Sequence, residues 1–195
     1  MNPVSKSRKS IASPYAMPAT LAWAMSVNAT ALAQGKALSS WQAADALEVG
    51  VLRPDAVRIL RVPNLPQPDC PHFRNLATQS GFDLGGSAGM ALGYAVLICH
   101  SALGDRRVLR HELRHVAQFE QSGDLSRFLD LYLAQIAQHG YRDAPFEVDA
   151  RRHEGRLTTL RSIRCGLMVS RYRLLVLNAI GHPDRVQILQ WQAGN

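Results

Sequence analysis

Long apolar runs are absent from this chain of 195 residues. The most apolar stretch, CGLMVSRYRLLVLNAIG from Cys165, is interrupted by Arg171 and Arg173. It therefore falls short of the roughly 20 consecutive apolar residues that a membrane span needs, and we expect a soluble protein without a membrane partner. The composition, 47% hydrophobic and 19% charged, indicates a globular chain whose length suits one domain.

Cysteine is scarce as well. The three cysteines, Cys70, Cys99 and Cys165, are too few for a disulfide framework, and no CxxC pair is present to bind a metal. A reducing compartment, here the cytoplasm, is the simplest interpretation. A single disulfide between Cys70 and Cys99 stays open for the case in which the protein is exported.

Motifs for nucleic-acid binding are also missing. The formal net charge of +7 could attract nucleic acid, but few aromatic residues interleave with the arginines that follow residue 150. The sequence therefore favours a solvated, basic helix face over a nucleic-acid interface.

The N-terminal segment supports two interpretations. A basic start, the apolar stretch Ala19–Val27 and an Ala-x-Ala site ending at Ala33 are the parts of a secretory signal. In the other interpretation, Pro18 opens a helix whose apolar residues repeat at helical spacing and which Gly35 ends. We favour the helix, because two polar residues weaken the stretch as a signal core.

Three parts are predicted along the chain: a loose basic tail at 1–15, a folded domain at 16–165 and a C-terminal extension at 166–195. Inside the domain, residue periodicity and turn residues predict five main elements. These are a strand at Ala56–Val62, a strand or hairpin at Met90–Cys99, and helices at Arg107–Gln121, at Leu125–His139 and from Pro145 onward.

The helix at Arg107–Gln121 contains the sequence His-Glu-Leu-Arg-His. On a helix, His111 and His115 lie one turn apart on one face, so that two imidazole nitrogens can reach one Zn²⁺. Glu112 projects beside such a metal, where it can take a proton from the metal's water. Two ligands do not make a zinc site, so another element must supply the third.

A later helix is the best source of that third ligand. The longer HExxHxxGxxH pattern is excluded, because positions 118 and 121 are both glutamine. Glu147 fits best, because it follows one intervening helix and lies in the first turn of the returning one. Glu154 shares its face two turns on and is the reserve choice, while Asp149 is either solvated or a partner of a ligand histidine. The weaker candidates are Glu120, Asp124, Asp130 and Asp143.

These placements predict an α+β fold. A small antiparallel sheet would pack on the His-Glu-Leu-Arg-His helix, and a following helix would carry the third metal ligand. The chain would travel out along the helix at Leu125–His139 and return, which brings residue 147 back to the motif.

The runs LRHELRHVAQ and APFEVDARR, with the amphipathic helix between them and GMALGYAVLI before them, resemble small bacterial zincin-type metallopeptidase domains of gluzincin character. The resemblance covers about Val57 to Arg152 and implies a minimal zincin-like fold. The roles that it implies are zinc ligation by His111, His115 and Glu147, and general-base catalysis by Glu112.

One position departs from this family's pattern. Thermolysin-like gluzincins place an aspartate four residues after the ligand glutamate, and here that position is Arg151. The carboxylate that supports a ligand histidine must therefore come from elsewhere in the chain.

The predicted function is a zinc metallopeptidase that acts on a peptide or protein substrate. Zn²⁺ would polarise the scissile carbonyl and acidify its water, and Glu112 would pass the proton to the leaving amine. Because the strand before a zincin's motif helix is typically a sheet edge, Met90–Ile98 is the predicted substrate shelf. Four side chains are candidate oxyanion donors, with Tyr141 the weakly preferred one: Tyr132, His139, Tyr141 and His153.

Two rival functions stay open. In the first, the chain is a catalytically inactive zinc domain that serves as a protein-interaction module. In the second, it is a metal-free helical domain whose arginines hold an acidic partner, which predicts salt-sensitive binding. The sequence does not determine the oligomeric state.

Overall fold

A computed structural model describes residues 16–83 and 85–155. The predicted tail at 1–15, the predicted domain end at 165 and the extension at 166–195 lie outside the described residues. None of the helices in the described part of the chain is long and apolar enough to cross a membrane.

Six α-helices and four strands make up the described part. In chain order they are α1 (Ala16–Gln34), β1 (Lys36–Ala37), α2 (Ser40–Glu48), β2 (Arg58–Val62), α3 (Pro71–Ser80), β3 (Gly89–Leu92), β4 (Ala95–Cys99), α4 (Arg106–Ser122), α5 (Leu125–His139) and α6 (Pro145–Glu154). The five main elements predicted from the sequence are all present.

Helix α1 occupies the ambiguous N-terminal segment. It begins two residues before Pro18 and ends immediately before Gly35. Ala24 and Ala31 of this helix are fully buried, so α1 contributes to the hydrophobic core.

The four strands form one mixed sheet in the order β1-β2-β4-β3. The prediction of an antiparallel sheet is therefore wrong in one respect: β2 and β4 run parallel, with Arg58 opposite Ala95 and Val62 opposite Cys99. The physical reason is the long connection between them, which passes through α3 and β3 and returns the chain to the same end of the sheet. The fold is a mixture of helices with a small mixed sheet, which is consistent with the α+β class.

Both faces of the sheet are covered by helices. The sheet lies between two hydrophobic cores. Successive residues of β4 belong alternately to one core and to the other, because successive side chains of a strand point to opposite faces. Val96 and Ile98 belong to the core beneath α2 and α4. Leu97 belongs to the core beneath α1, α3 and α5, and so do the buried thiols of Cys70 and Cys99. Both cysteines are free, so the disulfide considered for an exported protein is not formed.

A buried charged cluster joins α2 to α4. Asp45 accepts hydrogen bonds from Arg106 at 2.6 and 2.7 Å and from Arg110 at 2.7 Å. Arg110 also donates to Glu48 at 3.0 Å and to the carbonyl of His153 at 3.0 Å. The side chains of Asp45 and Arg110 are each only 1% exposed, so the cluster fixes α4 between α2 and α6 from the inside.

Candidate metal centre

Helix α4 places the motif where the sheet and α6 meet. Asp105 caps it by accepting hydrogen bonds from the backbone N–H groups of Arg107 at 2.8 Å and Val108 at 3.4 Å. Leu109 and Leu113 pack toward the sheet. The neighbouring face of α4 therefore points its histidines toward α6.

The structure brings His111, His115 and Glu147 together, as the sequence predicted. The two Nε2 atoms are 3.1 Å apart. His115 Nε2 lies 3.1 Å from Glu147 Oε1, and His111 Nε2 lies 3.4 Å from Glu147 Oε2. All three ligand atoms fall within 4.8 Å of one another, a separation from which they could bind one metal ion.

The other nitrogen of each ring is bound to a hydrogen-bond acceptor. His111 Nδ1 lies 2.9 Å from Glu154 Oε1, and His115 Nδ1 lies 2.8 Å from Gln118 Oε1. A carboxylate can only accept, so Nδ1 of His111 carries the proton. In the neutral form of each ring, these partners leave the Nε2 lone pair facing the shared centre.

The orientation of Gln118 supports the same assignment for His115. Its amide nitrogen donates to the carbonyl of Phe146 at 3.0 Å and to Asp149 Oδ2 at 2.8 Å. The amide oxygen must therefore face the histidine. Asp149 is held in turn by Arg114 Nε at 2.6 Å, so its carboxylate reaches His115 through Gln118 rather than directly.

The donor atoms fit a bound cation. Two lone pairs 3.1 Å apart repel each other unless positive charge lies between them. Glu147 is 1% exposed and its Oε2 atom has no hydrogen-bond partner, which is rare for a buried oxygen. Its other oxygen accepts a hydrogen bond from the Tyr132 hydroxyl at 2.8 Å. One buried carboxylate oxygen is thus left for a further ligand.

The pKa shifts of His111 and Glu147 also favour positive charge between these side chains. Burial alone would lower the pKa of His111, but its short contacts with the carboxylates of Glu147 and Glu154 and the charges of Glu112 and Glu147 raise it to about 9. Burial would raise the pKa of Glu147, but its short contacts with His111 and His115 and their charges hold it well below the usual range. A proton therefore satisfies the group when no metal is bound.

Glu112 lies beside the three ligand groups and against strand β3. A Cβ atom added at Gly89 would come within 2.8 Å of Glu112 Cγ and 2.9 Å of its Oε1. Burial raises the pKa of Glu112, which the nearby His111 and His115 offset only in part. The absence of a side chain at Gly89 makes room for this carboxylate.

A cleft with mostly apolar walls opens next to this carboxylate and the three ligand groups. Its aromatic and aliphatic lining comes from α1, α3, α5 and β3, through Trp23, Phe73, Met90, Phe128 and Leu133. Tyr141 also lines it, with its ring 4.8 Å from that of Phe82. Burial and the negative charges of Glu147 and Glu112 raise the pKa of Tyr141, so its hydroxyl keeps its proton.

Only part of the predicted substrate shelf lies at a sheet edge. Strand β4 is paired on both sides, with β2 and with β3. Strand β3 pairs with β4 alone within the described residues, so the edge is Gly89–Leu92 rather than the whole of Met90–Ile98.

The other candidate ligands lie elsewhere. Glu154 contacts the outer nitrogen of His111 and not the shared centre. Asp124 is the N-cap of α5, where it accepts a hydrogen bond from the Arg127 N–H at 2.8 Å. Glu120 accepts hydrogen bonds from the backbone N–H groups of Leu52 and Arg53, at 2.6 and 3.0 Å. Asp130 and Asp143 are exposed, as is the candidate oxyanion donor His139.

The sequence reasoning missed two supporting residues. Tyr132, a candidate oxyanion donor, instead donates its hydroxyl hydrogen bond to Glu147. Gln118 excludes the longer motif, and its position three residues after His115 also puts it on the same face of α4. The candidate oxyanion donor His153 bonds to the carbonyl of Asp149 at 2.8 Å and not to the cleft groups.

Comparisons of the chain with protein-family models, with curated proteins and with solved structures give no match.

Proposed function

We propose that this chain is a zincin-like zinc metallopeptidase in which His111, His115 and Glu147 hold the metal. The observation that carries the proposal is the convergence of two Nε2 lone pairs and a buried carboxylate within 4.8 Å. Two imidazoles and one carboxylate are a ligand set of catalytic zinc sites, which keep a fourth position open for water or substrate.

Zinc, when bound, would supply Lewis-acid polarisation of a carbonyl and acidify a water. Glu112 is the general base in this proposal: it takes a proton from the attacking water and delivers it to the leaving amine. The burial of Glu112, which raises its pKa, favours this role because a stronger base holds the proton between the two steps.

Strand β3 is the proposed binding edge for the peptide. The carbonyl of Ala88 accepts from the Cys99 N–H at 2.9 Å, so Ala88 and Met90 direct their backbone groups toward β4. Gly89 and Ala91 alternate with them and direct their N–H and C=O groups outward. An extended substrate could pair with these groups while its scissile bond lies near Glu112.

Tyr141 is the proposed oxyanion donor. Its hydroxyl stays protonated, for the reasons given above, and it lines the cleft beside Glu147. A protonated hydroxyl can donate a hydrogen bond to the negative oxygen that develops during attack on the carbonyl. Tyr132 also lies near Glu147, but its hydroxyl donates to that carboxylate at 2.8 Å and holds it in place.

A catalytically inactive zinc domain is the alternative, and one observation favours it. Thr20 and Trp23 of α1 line the same cleft as the motif residues, which narrows the space beside β3. In that case, the metal would fix α4 to α6 and the protein would act as an interaction module.

The test begins with metal content, measured by mass spectrometry on the purified wild type, Glu147→Ala and Asp143→Ala. We expect about one zinc per wild-type chain and per Asp143→Ala chain, and little in Glu147→Ala. Asp143 is the matched control because it is an exposed carboxylate close in sequence to α6. A wild type that takes up no zinc, even after reconstitution, would refute both zinc-based functions and leave the metal-free alternative.

Glu112→Gln then separates the enzyme from the inactive domain. The amide keeps the size of the side chain but cannot act as a base, so we expect full zinc content and loss of peptidase activity. Zinc-loaded wild type that cleaves none of a broad peptide library would favour the interaction module instead.

A further inference from the structure

The outer support of His111 does not come from the position at which the gluzincin pattern places it. Arg151 stands there, and its Nη1 atom lies 3.7 Å from Glu147 Oε2. A guanidinium has no acceptor atom, so it cannot take a hydrogen bond from an imidazole N–H.

Glu154 lies where that support is needed. It follows Glu147 by seven residues, about two helical turns, so both side chains project from the same face of α6. Glu147 reaches the inner nitrogen of His111 and Glu154 the outer one, at 3.4 and 2.9 Å. Both ring nitrogens of His111 therefore contact carboxylates of the same helix, α6.

The second oxygen of Glu154 is also held. Arg107 Nη2 donates to Glu154 Oε2 at 3.1 Å. Arg107 and His111 are four residues apart on α4, so one carboxylate can span both. The side chain of Glu154 is only 19% exposed. Its hydrogen bond with His111 is therefore less screened by solvent than an ion pair on the surface would be.

The two ligand histidines thus differ in their outer partners. His115 is bonded to the neutral amide of Gln118, and His111 to a carboxylate. An anionic acceptor makes the opposite nitrogen of an imidazole a stronger donor toward a metal and fixes its orientation.

We propose that Glu154 is the positioning residue of the metal centre: it orients His111 and strengthens it as a ligand, in place of a residue at position 151. This inference rests on the proposed function, because it assumes that His111 binds zinc. It assigns to Glu154 a role distinct from direct metal ligation.

The experiment measures zinc affinity by competition with a chelator for the wild type, Glu154→Ala, Glu154→Gln and the control Asp143→Asn. We expect Glu154→Ala to bind zinc about 10- to 100-fold more weakly. Glu154→Gln should fall between it and the wild type, because its amide oxygen still accepts a hydrogen bond but carries no charge. Asp143→Asn should bind like the wild type.

Two further readouts separate positioning from simple bracing of α4 against α6. The melting temperature of each metal-free variant reports bracing, and the ¹⁵N chemical shifts of zinc-bound His111 report the hydrogen bond at its Nδ1. In the zinc-loaded protein, we expect the Nδ1 shift of His111 to change in Glu154→Ala because its acceptor is lost, while the metal-free variant stays folded. Arg107→Ala should weaken zinc binding less than Glu154→Ala, because Arg107 is 74% exposed.

Unchanged zinc affinity in Glu154→Ala would overturn the inference and leave the proposed function standing. So would a loss of affinity that comes with unfolding of the metal-free Glu154→Gln protein, because that outcome means bracing. A loss of zinc affinity as large as that of Glu147→Ala, measured in parallel, would make Glu154 a direct ligand and would also overturn the inference. No zinc binding by the wild type would refute the proposed function itself.

Discussion

Helix α4 carries two buried polar clusters, and they differ in how completely their atoms are paired. Around Asp45, each carboxylate oxygen accepts from an arginine, and Arg110 donates to acceptors on both α2 and α6. Around Glu147, three acceptor atoms converge, and one buried carboxylate oxygen has no hydrogen bond at all.

The difference indicates two uses of buried polar groups. Opposite charges that satisfy one another hold helices in place and leave nothing for a ligand. Convergent acceptors with too few donors are costly in a folded protein unless something else binds them. We therefore interpret the Asp45 cluster as structural and the Glu147 cluster as a binding site.

The largest expected effect is on stability, from Asp45→Ala. Removing this carboxylate leaves the buried guanidinium of Arg110 with only the partly exposed Glu48 as a charge partner. We expect a loss of about 3 kcal/mol in the free energy of unfolding, measured by urea denaturation. The control Asp130→Ala removes an exposed carboxylate from α5 and should stay within about 0.5 kcal/mol of the wild type. Equal losses in the two variants would contradict the structural interpretation of the cluster.

Zinc should stabilise the protein through the Glu147 cluster and not through the Asp45 cluster. Free zinc at 100 times its Kd adds roughly 2.7 kcal/mol to the free energy of unfolding, because it binds only the folded state. We expect this gain in the wild type and in Asp45→Ala, and none in Glu147→Ala, measured by thermal denaturation with and without zinc. A gain that disappears in Asp45→Ala would mean that the two clusters are coupled.

A smaller effect is expected from Gly89→Ala. The added methyl group would collide with the flexible end of Glu112 rather than with backbone, so the fold should survive while the carboxylate is displaced. We expect about tenfold lower peptidase activity, equivalent to about 1.4 kcal/mol in the barrier, with unchanged zinc content. Gly81→Ala is an informative contrast, because nothing lies near its Cβ but its φ of 72° is strained for alanine. It should affect stability and not the activity of the folded protein.

The smallest expected effect is the dependence of stability on pH in the acid range. Burial would raise the pKa of Asp45, but hydrogen bonds from Arg106 and Arg110 outweigh it and lower the pKa. A carboxylate with a depressed folded-state pKa stabilises the protein above its unfolded pKa of about 3.9, and that stability is lost as the pH falls below it. The stability difference between wild type and Asp45→Asn should therefore shrink below about pH 4 in urea denaturation series. A constant difference across that range would contradict the assignment.

Much of the candidate site could be predicted because its geometry is local or nearly so. His111 and His115 share a face by helical periodicity alone. Glu147 could be selected because one intervening helix, α5, returns the chain to the motif. The N-cap at Asp124 and the turn at Gly140, whose φ is 76°, follow from residue chemistry within one turn.

The sequence by itself determined the elements and the three converging side chains, since each depends on spacing within a helix or across a single helical hairpin. Only the tertiary structure decided the parallel pairing of β2 with β4, the placement of Glu112 against Gly89 and the hydrogen bond between Glu154 and His111. These contacts join residues that are far apart in the chain, so their geometry depends on how whole elements pack. No local period encodes such packing, which is why an antiparallel sheet was expected and a mixed one formed.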